Sequence, residues 1–434
     1  MNVNFAERAH NHNWKLDPIV RSLLDTDFYK LLMLQFIWKN FAATHATSEV
    51  VNRTVRVRLA ERVGAEALRE QMEHVKGLRY RRSELVWLAG NTFYGVRSIF
   101  EPGFLDWLNT DFRLSDYEIS EHDGQLILRF SGLWTEVTMW EIYALAIVSE
   151  LKTRAALAEL TELELDIVYA RAKTRLWDKI GRLRGVVGLR VSDFGTRRRH
   201  SFLWQEYAVG ALRATLGEEF TGTSNTALAY KHDLEAIGTN AHELPMALAA
   251  LADTDEELVE SQYRVLELWQ RSYGGSLLIM LPDTFGTTQF LEGAPAWVAD
   301  WTGQRVDSKD PVMAGEEYIA WLRERGRDPK KKRLIASDAL DVDDILMLHD
   351  HFRGRIRFSA GWGTLLTNDF RDCHPRGEDT LEPLSLVCKL TSVGGRPTVK
   401  LSDNALKATG PAKLVERYRE VFGSMAVRGA EVLV

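Results

Sequence analysis

From about residue 185 the chain repeats one pattern: a short apolar run, a small polar loop, then a helical stretch. Leu189–Val191 precedes DFGTRRR, Phe220 precedes GTSN, Ala236-Ile237 precedes GTNAHE, and Leu277–Leu281 precedes DTFGT. The pattern continues with a run before Arg305-Val-Asp-Ser-Lys-Asp310, with Leu334–Ala336 before Ser337-Asp338, and with Ile356–Phe358 before Ala360-Gly-Trp-Gly-Thr364. Seven such units in about 180 residues predict parallel strands joined by helices, and a closed α/β barrel accounts for that number better than an open sheet. Between the units, Thr254 with Glu257 forms a capping-box pair, and Asp310-Pro311 suits an N-cap followed by a first helical residue. Val342, Ile345, Leu346 and Phe352 share one helical face.

The first 150 residues read differently. Residues 22–40 place Phe28, Leu31, Leu32, Leu34, Phe36 and Ile37 at mostly helical spacing, behind a start crowded by Asp25, Asp27, Tyr29 and Lys30. Val55–Leu59 alternates like a strand, Glu66–Gly77 like a helix, and Gln125–Phe130 like another strand. Without strict strand–helix alternation this predicts an α+β domain with antiparallel strands. Val137–Leu151 and Leu163–Leu183 read as helices, the second carrying Arg171, Lys173, Arg175, Lys179 and Arg182 on what its charge suggests is a solvated face. Near the end, Pro383–Leu390 and Thr398–Leu401 flank the turn Gly394-Gly-Arg-Pro397, a hairpin outside the barrel pattern that can rejoin the first domain. The expected division is 1–150, 151–380 and 381–434, with the site in the middle segment.

Composition narrows the function. At 434 residues and 45% hydrophobic the chain exceeds what one core usually fills. A formal net charge of −6 argues against general binding to nucleic acid or an anionic membrane, so any anion binding is local. Two cysteines, Cys373 and Cys388, are too few for a disulfide framework and point to a reducing cytoplasm. The N-terminus is too polar for a signal peptide, and no apolar run approaches a membrane span.

In a barrel, loops at the carboxyl ends of the strands converge on one site. Collected this way, they hold Arg197, Arg198, Arg199 and Arg305, the carboxylates Asp193, Asp283, Asp307 and Asp338, and glycine beside Ser or Thr at 222–224, 238–239, 286–288 and 363–364. Backbone amides and arginines suit phosphate, while carboxylates suit magnesium or ribose hydroxyls. His242 adds an imidazole, able to act as nucleophile or proton carrier at neutral pH, although a capping role would explain it equally simply.

These segments, SLLDTDFYK, SDFGTRRRHS, GTSN with GTNAHE, DSKDP, SDALD, GWGT-LLTNDF and KLSDN-KATG, resemble nicotinate phosphoribosyltransferase in order and spacing over nearly the whole chain. The resemblance implies an irregular α/β barrel beside an α+β domain built from both chain ends, working as a homodimer with sites at the subunit interface. It implies synthesis of nicotinate mononucleotide from nicotinate and 5-phosphoribosyl 1-pyrophosphate, coupled to ATP hydrolysis with Mg2+, in NAD salvage. By position, His242 matches the transiently phosphorylated histidine, and Tyr29 the ring that stacks on the pyridine from the neighbouring subunit. Thr239 and Arg305 match nicotinate-site residues, and Thr364, with Gly363 beside it, a phosphoribosyl-phosphate contact. Arg199 is a candidate for reaching phosphate, and Asp283 and Asp338 for holding magnesium through bound substrate. Lys309 departs from the family's usual glycine, which leaves the role of Asp307 open and offers a cation to phosphate or to solvent.

Three other readings share some of these features: the same fold acting on nicotinamide or quinolinate, a catalytically silent relative that binds NAD precursors, and an aldolase-like barrel. A neutral amide gives Arg305 no partner, and a dicarboxylate asks for more than one convergent cation. An aldolase asks for a Schiff-base lysine inside a strand, which the strand runs do not offer.

Overall fold

The computed structural model describes residues 16–96 and 98–423. The polar N-terminal stretch and the outer ends of the first and last expected segments lie outside them. Two sheets organise the chain. The first contains β1 (His45–Asn52), β2 (Asp116–His122), β3 (Gln125–Leu133), β10 (Leu386–Val393) and β11 (Arg396–Pro397) in the order β11-β10-β1-β3-β2, with every pairing antiparallel. The expected return to the first domain is met by β10, which lies against β1 with Val50 opposite Cys388; its hairpin partner is Arg396–Pro397, inside the expected turn, rather than Thr398–Leu401.

The second sheet holds β4 (Val191–Asp193), β5 (Phe220–Thr223), β6 (Ile279–Met280), β7 (Gly303–Val306), β8 (Arg333–Ala336) and β9 (Arg357–Trp362), all parallel, in the order β5-β4-β9-β8-β7-β6. The seventh unit, at Ala236-Ile237, contributes a single bridge, Ala236 to Thr223, rather than a strand. Its far side is tied to β6 by the Asn240 amide, which donates to Ile279 O at 3.1 Å. A barrel closed on one side by a side chain instead of a ladder is irregular in this concrete sense.

Local rules explain most elements. The Thr254 hydroxyl accepts from Glu257 N at the start of Asp255–Ser272, and the Asp310 carboxylate accepts from Met313 N ahead of Pro311–Glu324. Two expectations need correcting. Residues 55–59 are not a strand: Val55 is 72% exposed, Val57 N closes a turn on Thr54 O, and Leu59 begins a short helix. The strand lies earlier, at β1, where Ala46, Ser48, Val50 and Asn52 face inward; its small and polar inward residues hide the alternation from a hydrophobic reading. The first helix starts at Phe28 rather than near 22, because Asp25 and Asp27 are drawn into buried contacts with Arg199, Asn225 and Ser224 and turn the chain before it can coil.

The basic face of Glu162–Leu183 is not simply solvated. Lys179 Nζ donates to Leu365 O at 2.8 Å and pairs with Asp369, Arg175 reaches the same carboxylate, and Arg171 donates to His374 O at 3.1 Å. The helix thus braces the loop after β9. Among the described residues no helix is long and apolar enough to cross a membrane.

Candidate active site

A cavity of about 250 Å³ opens where the carboxyl ends of the parallel strands meet the antiparallel sheet. From the barrel come Phe194, Arg197 and Arg198 after β4, the 237–243 loop, Arg305 and Asp307 from β7, and Gly363-Thr364 after β9. From the other sheet and its flanks come Ser48, Arg53, Cys388, Lys389, Lys400 and Lys407. The helix Phe28–Phe41 presents Tyr29 at its first turn, and the close approach that puts it there requires glycine at 238: a Cβ would lie 2.5 Å from Tyr29 N.

His242 sits at the N-cap of Glu243–Leu251. Its Nδ1 is 3.0 Å from Thr284 Oγ1 and its Nε2 is 2.9 Å from Asp307 Oδ2, with Asp283 Oδ1 3.6 Å away. Burial pushes the imidazole below its ordinary value, against the pull of Asp283, so the ring is neutral at pH 7. Burial alone would raise Asp307, but its hydrogen bond to His242 and the charges of Lys400 and Arg305 hold it well below the usual carboxylate range. Lys400 Nζ lies 3.9 Å from both Asp283 and Asp307, and Lys407 pairs with Asp338.

On the opposite side, Arg305 Nη1 donates to Asn240 O at 2.9 Å and lies 3.4 Å from Thr239 Oγ1, while its Nε is buried with no partner. The Tyr29 hydroxyl donates to Glu141 at 3.3 Å. Burial beside Glu141 raises its pKa, so the phenol stays neutral. The remaining wall is cationic: burial, with Arg53 and Lys400 nearby, lowers Lys389 to about 8, and burial beside Arg197 lowers Arg198 to about 10. Such a wall favours a multiply charged anion, whose arrival relieves the repulsion among the cations.

Two family models match the chain: the nicotinate phosphoribosyltransferase N-terminal domain over residues 24–149 and the nicotinate phosphoribosyltransferase family proper over 189–426. The chain belongs to the nicotinate phosphoribosyltransferase family. It is similar to the crystal structure of a nicotinate phosphoribosyltransferase from Vibrio cholerae, with 30% identity and a TM-score of 0.86, covering 96% of each chain. It is also similar to one from Porphyromonas gingivalis, with 29% identity and a TM-score of 0.80, covering 94% of this chain and all of that one.

Against the family expectation, His242, Tyr29, Thr239, Arg305, Gly363, Thr364 and Asp338 all line the one cavity, and Asp283 stands directly behind His242. One expectation changes. Arg199 does not reach the cavity: its guanidinium is fully buried and makes two 2.7 Å hydrogen bonds to Asp25, leaving Arg197 and Arg198 beside Arg53 and Arg305 as the arginines that line it. Tyr29 lines the cavity together with His242 of the same chain.

Lys309 takes neither expected course; it binds Glu317 at 2.7 Å and Thr288 at 3.0 Å, and Asp307 keeps its place on His242. His200, unassigned from sequence, is structural, stacked 3.5 Å from Phe370 and bonded to the Tyr169 hydroxyl. Arg53, Lys389, Lys400 and Lys407 line the cavity from the antiparallel side, outside the barrel pattern that marks the other site residues. The KLSDN and KATG motifs contained Lys400 and Lys407, but nothing in the barrel pattern pointed to them.

Proposed function

We propose that the chain forms nicotinate mononucleotide and pyrophosphate from nicotinate and 5-phosphoribosyl 1-pyrophosphate, as a step of NAD salvage in the cytoplasm, and that ATP hydrolysis drives it through transient phosphorylation of His242. The observation that carries the reading is that an aromatic ring, a guanidinium and a neutral imidazole, Tyr29, Arg305 and His242, line one cavity whose far wall is cationic. In this reading Tyr29 stacks on the flat pyridine, and Arg305 with Thr239 holds its carboxylate. The pyridine nitrogen lone pair forms the bond to the anomeric carbon as the C–O bond to pyrophosphate breaks. Lys400, Lys407, Arg53 and Lys389 stabilise the charge that develops on the leaving group. Thr364, on the loop braced by Lys179, orients the ribose phosphate.

Two carboxylates fit magnesium: Asp283 and Asp307 offer oxygens within 4.8 Å of each other, and Asp283 Oδ1 is buried without a hydrogen-bond partner. Bound there through substrate phosphates, with Asp338 nearby, the ion would supply charge neutralisation for phosphate transfer. The resting neutral ring donates its one proton from Nε2 to Asp307; in the other tautomer, with the proton on Nδ1 and donated to Thr284, the Nε2 lone pair attacks the terminal phosphorus of ATP, the P–O bond to ADP breaks and ADP leaves. In that tautomer Asp307 accepts nothing from the ring and faces Lys400 at 3.9 Å. Hydrolysis of the phosphohistidine resets the site.

The test is product formation by purified protein from nicotinate, phosphoribosyl pyrophosphate and magnesium, with and without ATP, beside His242→Ala. Nicotinamide and quinolinate serve as competing substrates. The reading expects a yield that rises with ATP in the wild type and not in the variant, and a preference for nicotinate. Absence of product from folded protein would overturn it.

A further inference from the structure

Barrels of this kind usually fill their interior with branched side chains in layers. Here Ile237, Ile279 and Ile335 share the interior with Ser192, Thr221 and Ser359, and these small residues leave a second cavity of about 880 Å³ inside the barrel, larger than the one at the carboxyl ends. The hydroxyls of Ser192 and Thr221 satisfy each other at 2.6 Å, so these polar groups line the cavity without being starved of partners.

The cavity has two ends. At the amino ends of the strands its mouth is set by Arg190, Arg333, Arg353 and Arg357. Arg353 is paired with Asp350, Arg190 donates to Glu218 O, and Glu235 lies in the field of Arg333. Arg357 makes no ion pair or side-chain hydrogen bond with any described residue. Four guanidinium groups against two carboxylates leave the mouth positive in a chain whose net charge is −6. At the inner end, Phe194, Ile237, Gly238, Thr239 and Arg305 line this cavity and the catalytic one alike. Arg305, with its unpartnered Nε, belongs to both. Gly361 keeps the inner end from closing further, since a Cβ there would fall 2.3 Å from the Phe194 ring. From Arg357 to Gly361 the strand rises about 13 Å, at roughly 3.3 Å per residue.

We propose that the barrel interior is a second approach to the base site for a small aromatic carboxylate: nicotinate enters or leaves through the arginine-ringed mouth while phosphorylated substrate or product occupies the front. The inference rests on the reading of the base site given above. The front mouth is the only approach that the cationic phosphate wall flanks, and a bound pyrophosphate there stands in the way of a carboxylate. The interior offers a positive entrance, a bore carrying the hydroxyls of Ser192, Thr221 and Ser359, and a guanidinium at its end, and Phe194 and Arg305 line both it and the site.

A route differs from a binding site in its kinetic signature: blocking it slows entry and exit by the same factor and leaves affinity alone. The experiment measures association and dissociation of labelled nicotinate by rapid-mixing pulse–chase, with inorganic pyrophosphate filling the front. Ser359→Phe, which puts a ring into the bore, is expected to slow both rates on the order of tenfold with Kd within about twofold. Arg357→Glu, at the exposed mouth, is expected to slow association by roughly threefold at low salt, with the difference fading at high ionic strength. Wild-type rates in both variants, or a loss in Ser359→Phe confined to Kd, would overturn the channel. If Ser359→Phe fails to fold, Arg357→Glu decides alone. Wild-type protein that binds no nicotinate would overturn the base-site reading together with the channel, whereas binding with unmoved rates overturns only the channel.

Discussion

Lys30 Nζ stands 2.6 Å from Glu243 Oε2, and so joins the residue after the cavity's phenol to the residue after its imidazole. The same ammonium is 2.7 Å from Glu141, which accepts from Tyr29 and pairs with Arg197. Lys30 is completely buried; burial would lower its pKa, but Glu141 and Glu243 raise it, so the charge is kept. Lys30→Met leaves the mostly buried Glu243 without a cation and Glu141 with Arg197 alone. Loss of about 3 to 5 kcal/mol in guanidinium unfolding is expected, the range for breaking a buried pair. A variant as stable as wild type would show that the carboxylates find other partners.

The acid limb of the ATP-dependent rate reports His242. Burial holds its pKa below the usual 6.5, so the nucleophilic neutral ring persists as pH falls through that value and is lost only lower. The ATP-stimulated fraction of turnover, measured against the ATP-independent rate at each pH, should therefore fall on the acid side with a midpoint below 6.5. A fall centred above 6.5 would contradict the burial argument.

Because Tyr29 and His242 line one cavity of one chain, mixing Tyr29→Ala protein with His242→Ala protein should restore no ATP-stimulated activity. Sites shared between subunits would instead regain roughly a quarter of wild-type turnover from randomly mixed dimers, by the isologous symmetry of such an interface. Turnover per chain is likewise expected to be independent of protein concentration.

Lys179 acts on the Thr364 loop from behind, through Leu365 O and Asp369, without lining the cavity. Lys179→Met should raise KM for phosphoribosyl pyrophosphate roughly five- to tenfold, about 1 to 1.4 kcal/mol, with KM for nicotinate little changed. An equal rise for both substrates would mean general unfolding of the site rather than a slackened loop.

Glu206 makes acid stability testable away from the site. Burial alone would raise its pKa, but His232 and Lys231 hold it down to about 2, against 4.5 in the unfolded chain. The folded state therefore gains from this carboxylate above 4.5 and loses the gain as pH falls from 4.5 toward 2. Glu206→Gln should unfold more readily than wild type at pH 7 and approach it near pH 2 to 3, as followed by thermal melts across that range.

The barrel was legible because each of its strands is a local event, an apolar run ended by a glycine or acidic loop, and Val191, Phe220 or Leu334 carry that signal without help. The antiparallel sheet was less legible. β1 earns its place from β10, more than three hundred residues away, and its sequence HATSEVVN shows little alternation on its own. The same division holds for the site. Loop residues such as His242, Arg305 and Thr364 could be gathered from the barrel pattern and the family resemblance. Arg199 was misjudged because its neighbours Arg197 and Arg198 have the same composition, and only the position of Asp25 separates the buried member from the two that face the cavity.

The antiparallel sheet also orders events during synthesis. β1 can pair with β3 early, but its other edge waits for β10, and Lys389, Lys400 and Lys407 arrive with it. As the chain leaves the ribosome, the parallel strands are complete by residue 362 while the cavity still lacks most of its cationic wall. A nascent chain stalled before residue 386 carries an open strand edge at β1 and the imidazole, but not Lys389, Lys400 or Lys407. The cationic wall is thus completed only after the parallel strands, and until then the unpaired edge depends on being shielded from other chains.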